Sequence, residues 1–266
     1  MRRIWLFLVS CLLFSEAQAQ VGEYRTDLAV GVNGGYMLSN VGFVPDVPQG
    51  FLGGLTGGLT VRYTCEKYFK SICSVVAEVN IAHTGWKESI EDAQNKPVRL
   101  HTDTTQTLAY QRKMTYVQIP LLARLGWGRE RKGFQGFFQV GPQVGVYLRD
   151  KTVSNFDPRN PEFYPGTEEK PNALYQYGSI RTSHVTAQDT LAVENKFDYG
   201  IVAGAGLEYS HPKLGHFLLE ARYYYGLGNI YGNTKSDYFG KSNFGQIVVK
   251  ATWLFDIIRT KNSKIK

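Results

Sequence analysis

Apolar and polar residues alternate with a period of two in eight separate segments of the chain, and this pattern predicts β-strands with one greasy and one polar face. In the clearest, Phe134 to Leu148, the even positions are Phe134, Gly136, Phe138, Val140, Pro142, Val144, Val146 and Leu148. The odd positions include Gln135, Gln139, Gly141, Gln143, Gly145 and Tyr147. Similar alternation runs over Leu28–Tyr36, Leu55–Tyr63, Val75–Ile81, Val117–Trp127, Tyr199–Tyr209, Phe217–Tyr225 and Ile247–Phe255. A soluble sandwich alternates too, but its polar face meets water and carries many charges. Here the polar faces hold glycine, amides and one or two charges each. That is the apolar-out, polar-in signature of a membrane barrel. The expected fold is all-β: a single closed, antiparallel, up-and-down transmembrane β-barrel of about eight strands. An even strand count allows closure with no exposed edge.

The spacing of the segments predicts alternating short and long connections. Short links are expected near 64–73, 128–133 and 210–216, long ones near 37–54, 87–115, 149–196 and 227–245. In outer-membrane barrels short turns are periplasmic and long loops extracellular. Composition agrees, since 28 Gly, 17 Tyr and 15 Phe are the residue types that such barrels use for close strand approach and interfacial girdles.

Met1 to Ala19 has the layout of a secretory signal: Arg2 and Arg3, an apolar run from Ile4 to Phe14, and Ala17-Gln18-Ala19 before the cut. Leu8-Val9-Ser10-Cys11 also resembles a lipoprotein signal, the alternative reading of this end. The expected organisation is a signal peptide over 1–19, a barrel over 20–255 and a basic periplasmic tail over 256–266. Two cysteines remain after the signal, Cys65 and Cys73, and an even pair in an oxidising compartment is a candidate disulfide. Both continue the outward parity of their hairpin, which predicts a bridge across the first short turn.

Tyr116-Val117-Gln118-Ile119-Pro120-Leu121-Leu122 and Gly141-Pro142 with Gly145 and Leu148 resemble consecutive strands of the PorT-like outer-membrane β-barrel family of Bacteroidota. Phe197-Asp198-Tyr199-Gly200 with Gly204, Gly206 and Glu208, then Leu219-Glu220, Arg222-Tyr223 and Tyr225-Gly226-Leu227, continue the likeness. The resemblance covers the mature chain and implies an outer-membrane barrel. One member of that family is implicated in secretion and surface-motility machinery, and no catalytic or ligand residue carries over. The chain departs from the family by running past Phe255 into a further tail and by its long third outer loop.

Seven charges fall on inward positions: Arg62, Arg124, Arg222 and Lys250 against Glu78, Glu208 and Glu220. Buried charges are costly unless paired, so they are expected to form a lumen ion network, with a structural plug and an ion path as its two readings. The five histidines, His83, His101, His184, His211 and His216, show no metal-ligand spacing, and no nucleophile elbow, phosphate loop or zinc signature occurs. Some small barrels are enzymes with catalytic residues at the outer rim, and His83 with Thr84, or Asp198 with a loop histidine, can be posed that way. The expectation is no catalytic site, no cofactor and no metal.

Net charge is +7, or +6 once Arg2, Arg3 and Glu16 leave with the signal. Most of the excess sits on the short links and tail: Lys67, Lys70, Arg129, Arg131, Lys132, Lys213, Arg259, Lys261, Lys264 and Lys266. This basic rim is read either as a solvated edge beside anionic headgroups or as a docking surface for an acidic periplasmic partner. Nucleic acid is excluded by compartment and by missing stacking motifs. Outer-membrane lipid and an envelope protein complex are the expected partners. The leading expectation is a non-enzymatic accessory or assembly component of an envelope complex, secretion machinery included. The alternative is a surface barrel that binds a ligand or another cell through its long loops, and a small lipid- or peptide-modifying enzyme ranks third.

Overall fold

The computed structural model describes residues 23–68, 71–91, 96–98, 105–129, 132–156, 188–189, 191–232 and 238–259. The signal segment 1–19 with Cys11, the tail beyond 259, Lys70, Arg131, His101, His184 and most of the loop after Phe156 lie outside the described residues.

Among the described residues nine strands form one antiparallel sheet: β1 (Glu23–Val44), β2 (Gln49–Gly50), β3 (Leu52–Tyr68), β4 (Ser71–Ser89), β5 (Ala109–Gly128), β6 (Gly133–Ser154), β7 (Phe197–His211), β8 (Gly215–Gly226) and β9 (Lys241–Ile258). The eight long ones pair in the cyclic order β1-β3-β4-β5-β6-β7-β8-β9, and β9 returns to β1. The ring therefore closes. The two-residue β2 only adds a short flap on β4, Gln49 opposite Glu88.

The alternation in the sequence maps directly onto the wall. Leu55, Leu59, Val79, Ile81, Phe134, Ile201, Leu207 and Leu219 are exposed on the outside, up to 70 % for Phe134. Thr60, Glu78, Asn80, Gln118, Gln139 and Gln246 are buried inside. In a soluble protein so large an exposed apolar surface would drive association, whereas lipid covers it at no such cost. Aromatic residues rim the belt. Trp127, Phe134, Tyr209, Phe217 and Trp253 lie at the short-turn end and Tyr36, Phe197, Tyr199, Tyr223 and Tyr225 toward the loop end. Ten residues of β5 separate Trp127 from Val117, which at ~3.4 Å per residue and a tilt of ~40° spans about 25 Å, the height of an outer-membrane apolar band.

The strands outrun the expected boundaries. β1 reaches Val44 and β6 reaches Ser154, so the connections shrink to residues 45–51, 90–108, 155–196 and 227–240 on the loop side, and to 69–70, 129–132 and 212–214 on the turn side. The reason is physical: hydrogen-bonded ladders continue above the lipid, but there the outward face no longer needs to be apolar, so the alternation fades while the pairing persists. Lys113 opposite Lys151 and Arg112 opposite Thr152 belong to this extension.

The expected register of the first hairpin also changes. A bulge between Thr64 and Glu66 sets Glu66, not Cys65, opposite Cys73. Both cysteines are free thiols, and the bridge expected from parity alone is absent from the structure.

Candidate functional site

All seven predicted charges point into the lumen, and the closed ring brings them together across it in two clusters. The one nearer the turns is built on Glu208. Arg62 from β3 donates through Nη1 to both Glu208 carboxylate oxygens at 2.9 Å. Arg124 from β5 donates to Glu208 from another side and stacks over the Phe137 ring, 3.6 Å from its centroid. His216 Nδ1 lies 2.7 Å from Glu208 Oε1, and His216 Nε2 lies 3.0 Å from Asp256 Oδ1. Arg259 Nε closes this end on Asp256 at 2.7 Å.

The second cluster lies one level further in. Glu78 accepts from Arg222 Nη1 at 2.9 Å, Arg222 Nη2 at 2.7 Å and Lys250 Nζ at 2.6 Å. Glu220 Oε1 lies 2.8 Å from Arg222 and 3.2 Å from Lys250, while Gln139 donates to its other oxygen at 2.6 Å. Two carboxylates face two cations, so the cluster is neutral. An amide layer follows, in which Asn33 donates to Thr60 and Asn80, Gln118 donates to Gln246, and Gln246 donates to Thr84.

The loop end of the lumen is closed by aromatic packing that the charges gave no hint of. Phe43, Trp86, Tyr231 and Phe239 are all buried, with Phe43 and Trp86 edge-to-face at 5.2 Å and Phe43 and Phe239 at 4.7 Å. Trp86 is fully buried and donates its indole N–H to Gln188 at 2.6 Å. Arg112 ties the plug to the wall: Nη1 donates to the Tyr231 hydroxyl at 2.8 Å and Nε to Asp150 at 2.7 Å. Burial pushes the Tyr231 phenol up to about 12, and the neighbouring Arg112 guanidinium holds back part of that rise.

His216 and Asp256 are functional-site residues that the sequence reading left out. The expected tail boundary at 256 puts Asp256 outside the barrel, yet extending the β9 parity from Lys250 and Thr252 to position 256 places it inward, and the β8 parity does the same for His216. With Ser210, whose Oγ lies 2.8 Å from His216 Nδ1, they form a serine–histidine–aspartate string. Ser210 is 1 % exposed, and its Oγ donates to Glu208. The adjoining cavity is only about 30 Å³, room for a water and not for a substrate.

The pairings posed for an enzyme are not assembled. His83 is exposed on the outer wall and meets Thr115, whereas Thr84 points inward to Gln246, because neighbours on a strand face opposite ways. Asp198 is buried and accepts from the Tyr224 hydroxyl at 2.7 Å; no described histidine contacts it. Among the described residues no group of His, Cys, Asp and Glu is arranged to hold a metal ion. Of the basic rim, Arg129, Lys132 and Lys213 are exposed at the turns.

Residues 17–232 match the outer membrane protein beta-barrel domain. No curated protein matches the chain. Among solved structures, the chain is similar to the attachment invasion locus protein Ail of Yersinia pestis at 15 % identity, over 85 % of this chain and 98 % of that one, with a TM-score of 0.33. It is similar to Neisserial surface protein A at 9 % identity over 86 % and 97 %, TM-score 0.37. The outer membrane protein OprG of Pseudomonas aeruginosa gives 11 % identity over 88 % and 98 %, TM-score 0.35.

Proposed function

We propose, from the premise that the chain belongs to the outer membrane protein beta-barrel domain family, that it is a sealed, non-enzymatic outer-membrane barrel that works through its two ends as an accessory component of an envelope complex. The observation that carries this reading is the lumen. Two ion clusters, an amide layer and an aromatic plug fill it in succession, so neither solute nor substrate has a path along the axis. What a partner meets is then the rim.

In this reading the Met1–Ala19 leader exports the chain, the short turns face the periplasm, and Arg129, Lys132 and Lys213 offer a basic edge to an acidic partner. The PorT-like resemblance around Tyr116–Leu122 and Gly200–Glu208 supports a place in secretion or assembly machinery. A second reading, surface binding at the loop end, is favoured by one specific observation. β1, β4, β5 and β6 continue beyond the apolar belt and are braced inside by Trp86 and Tyr231, which makes a stiff pedestal for the loops.

Affinity purification from native membranes after mild crosslinking tests the assignment. Wild type and the triple charge reversal Arg129→Glu, Lys132→Glu and Lys213→Glu are compared. A stoichiometric partner that is lost on reversal is the expected result. A partner retained by the reversal and lost on trimming the loops would move the function to the outer end.

A further inference from the structure

Just above the apolar belt, the outer wall of β4, β5 and β6 carries a cluster of cations that the lumen network does not use. Register fixes it. His83, Thr115 and Arg149 form one row across the three strands, and Gly85, Lys113 and Lys151 form the next. Lys87 follows on β4. His83, Lys87, Lys113, Arg149 and Lys151 are all exposed on the outward face.

Directly opposed like charges destabilise a strand pair. Lys113 and Lys151 are such a pair, and Arg149 adds a third positive charge one row below. None of these three, nor Lys87, makes an ion pair with any described residue. A depression of about 560 Å³ opens at this place, with His83, Lys113, Arg149 and Lys151 among its lining. Among the described residues Asp150 is the one carboxylate lining it, and it is already bound by Arg112 and Tyr147. Among the described residues the patch is therefore a cation cluster with a cavity and no counterion.

Its height says what the counterion is attached to. Lys113 lies four residues beyond Val117, the upper edge of the apolar band, and so roughly 10 Å above it. That is the level of lipid headgroups. Below the patch, Ile81, Val146 and Leu148 are exposed and apolar, so one molecule can place phosphate on the cations and acyl chains on the belt. A soluble anion would gain the first contact and not the second.

We infer that Lys113, Arg149 and Lys151, with Lys87 and His83 at the margin, form a binding site for the phosphorylated headgroup of a lipid in the leaflet at the loop end. The bound phosphate removes the repulsion between Lys113 and Lys151 and fixes the rotation of the barrel relative to its lipid annulus.

The test uses the folded full chain in phosphatidylcholine nanodiscs doped with diphosphoryl lipid A, with retained lipid counted by native mass spectrometry. Wild type is expected to retain one lipid A per barrel. Lys113→Gln, Arg149→Gln and Lys151→Gln together are expected to weaken retention roughly a hundredfold, from about fivefold per cation at an anionic surface. Because these side chains face outward, the triple variant keeps its heat-sensitive gel mobility, which controls for folding. Lipid A stripped of phosphate is expected to wash out, and inorganic phosphate is expected not to displace the lipid. Equal retention by wild type and variant, equal retention of the dephosphorylated lipid, or full displacement by inorganic phosphate would each overturn the assignment.

Discussion

Glu78→Gln asks how dry the inner ion cluster is. The side chain is 2 % exposed and accepts from Arg222, Lys250 and Asn80. The substitution keeps its shape and removes its charge, leaving Glu220 alone to balance two buried cations. Stranding a buried charge in this way costs about 3 to 5 kcal/mol. For a domain of this size that corresponds to a fall in unfolding temperature of roughly 10 °C. The companion Glu78→Gln with Lys250→Met restores charge balance and is expected to recover most of the loss, because neutral replacement of a whole buried pair is often close to neutral. The assay follows the fraction of barrel that keeps its folded mobility on an unheated gel after equilibration in urea. A loss below about 1 kcal/mol for the single variant, or a double variant as weak as the single one, would refute a dry, paired cluster and point to a hydrated lumen.

Three further outcomes follow from the same geometry. In planar bilayers the wild type is expected to carry no steady current, since ion clusters, an amide layer and an aromatic plug occupy the described lumen in succession; a large open channel would contradict the sealed reading. Brominated lipid should quench single-tryptophan variants that retain Trp127 or Trp253, 47 % and 40 % exposed, and leave one that retains only the fully buried Trp86 unquenched. Gly31→Val should prevent barrel closure, because a β-carbon at Gly31 would sit 1.8 Å from the Trp253 carbonyl oxygen on β9; unchanged refolding yield would show that the seam can yield.

The sequence made the wall legible and left the interior partly hidden. Outward residues such as Leu59, Val79 and Ile201 and inward ones such as Arg62, Glu78 and Lys250 follow from a period of two, which every strand must obey. Which cation meets which carboxylate does not follow. Arg62 reaches Glu208, 146 positions away, only because the closed ring sets β3 across the lumen from β7. The aromatic plug was invisible for another reason. Phe43 and Trp86 sit where the outward face has turned polar, and Tyr231 and Phe239 come from a connection with no alternation at all. Cys65 shows the limit of parity: one bulge residue moved the register that would have set it opposite Cys73.

The junction of β1 with β9 has a consequence for the order of events during assembly. Every other neighbour pair is joined by a connection nearer in sequence, some as short as residues 212–214, and can zip without waiting for the far end of the chain. Leu28 and Ile258 belong to opposite ends of the described chain. Bringing them together as a flexible segment costs about 4 kcal/mol more than closing a three-residue turn. The seam is therefore the last ladder to form, and until it does the sheet presents two long unpaired edges, the state in which such a chain is most prone to self-association. A chain nicked in an outer loop still possesses both halves of the seam and can complete the ring. One that has lost either terminal strand has no final step left to take.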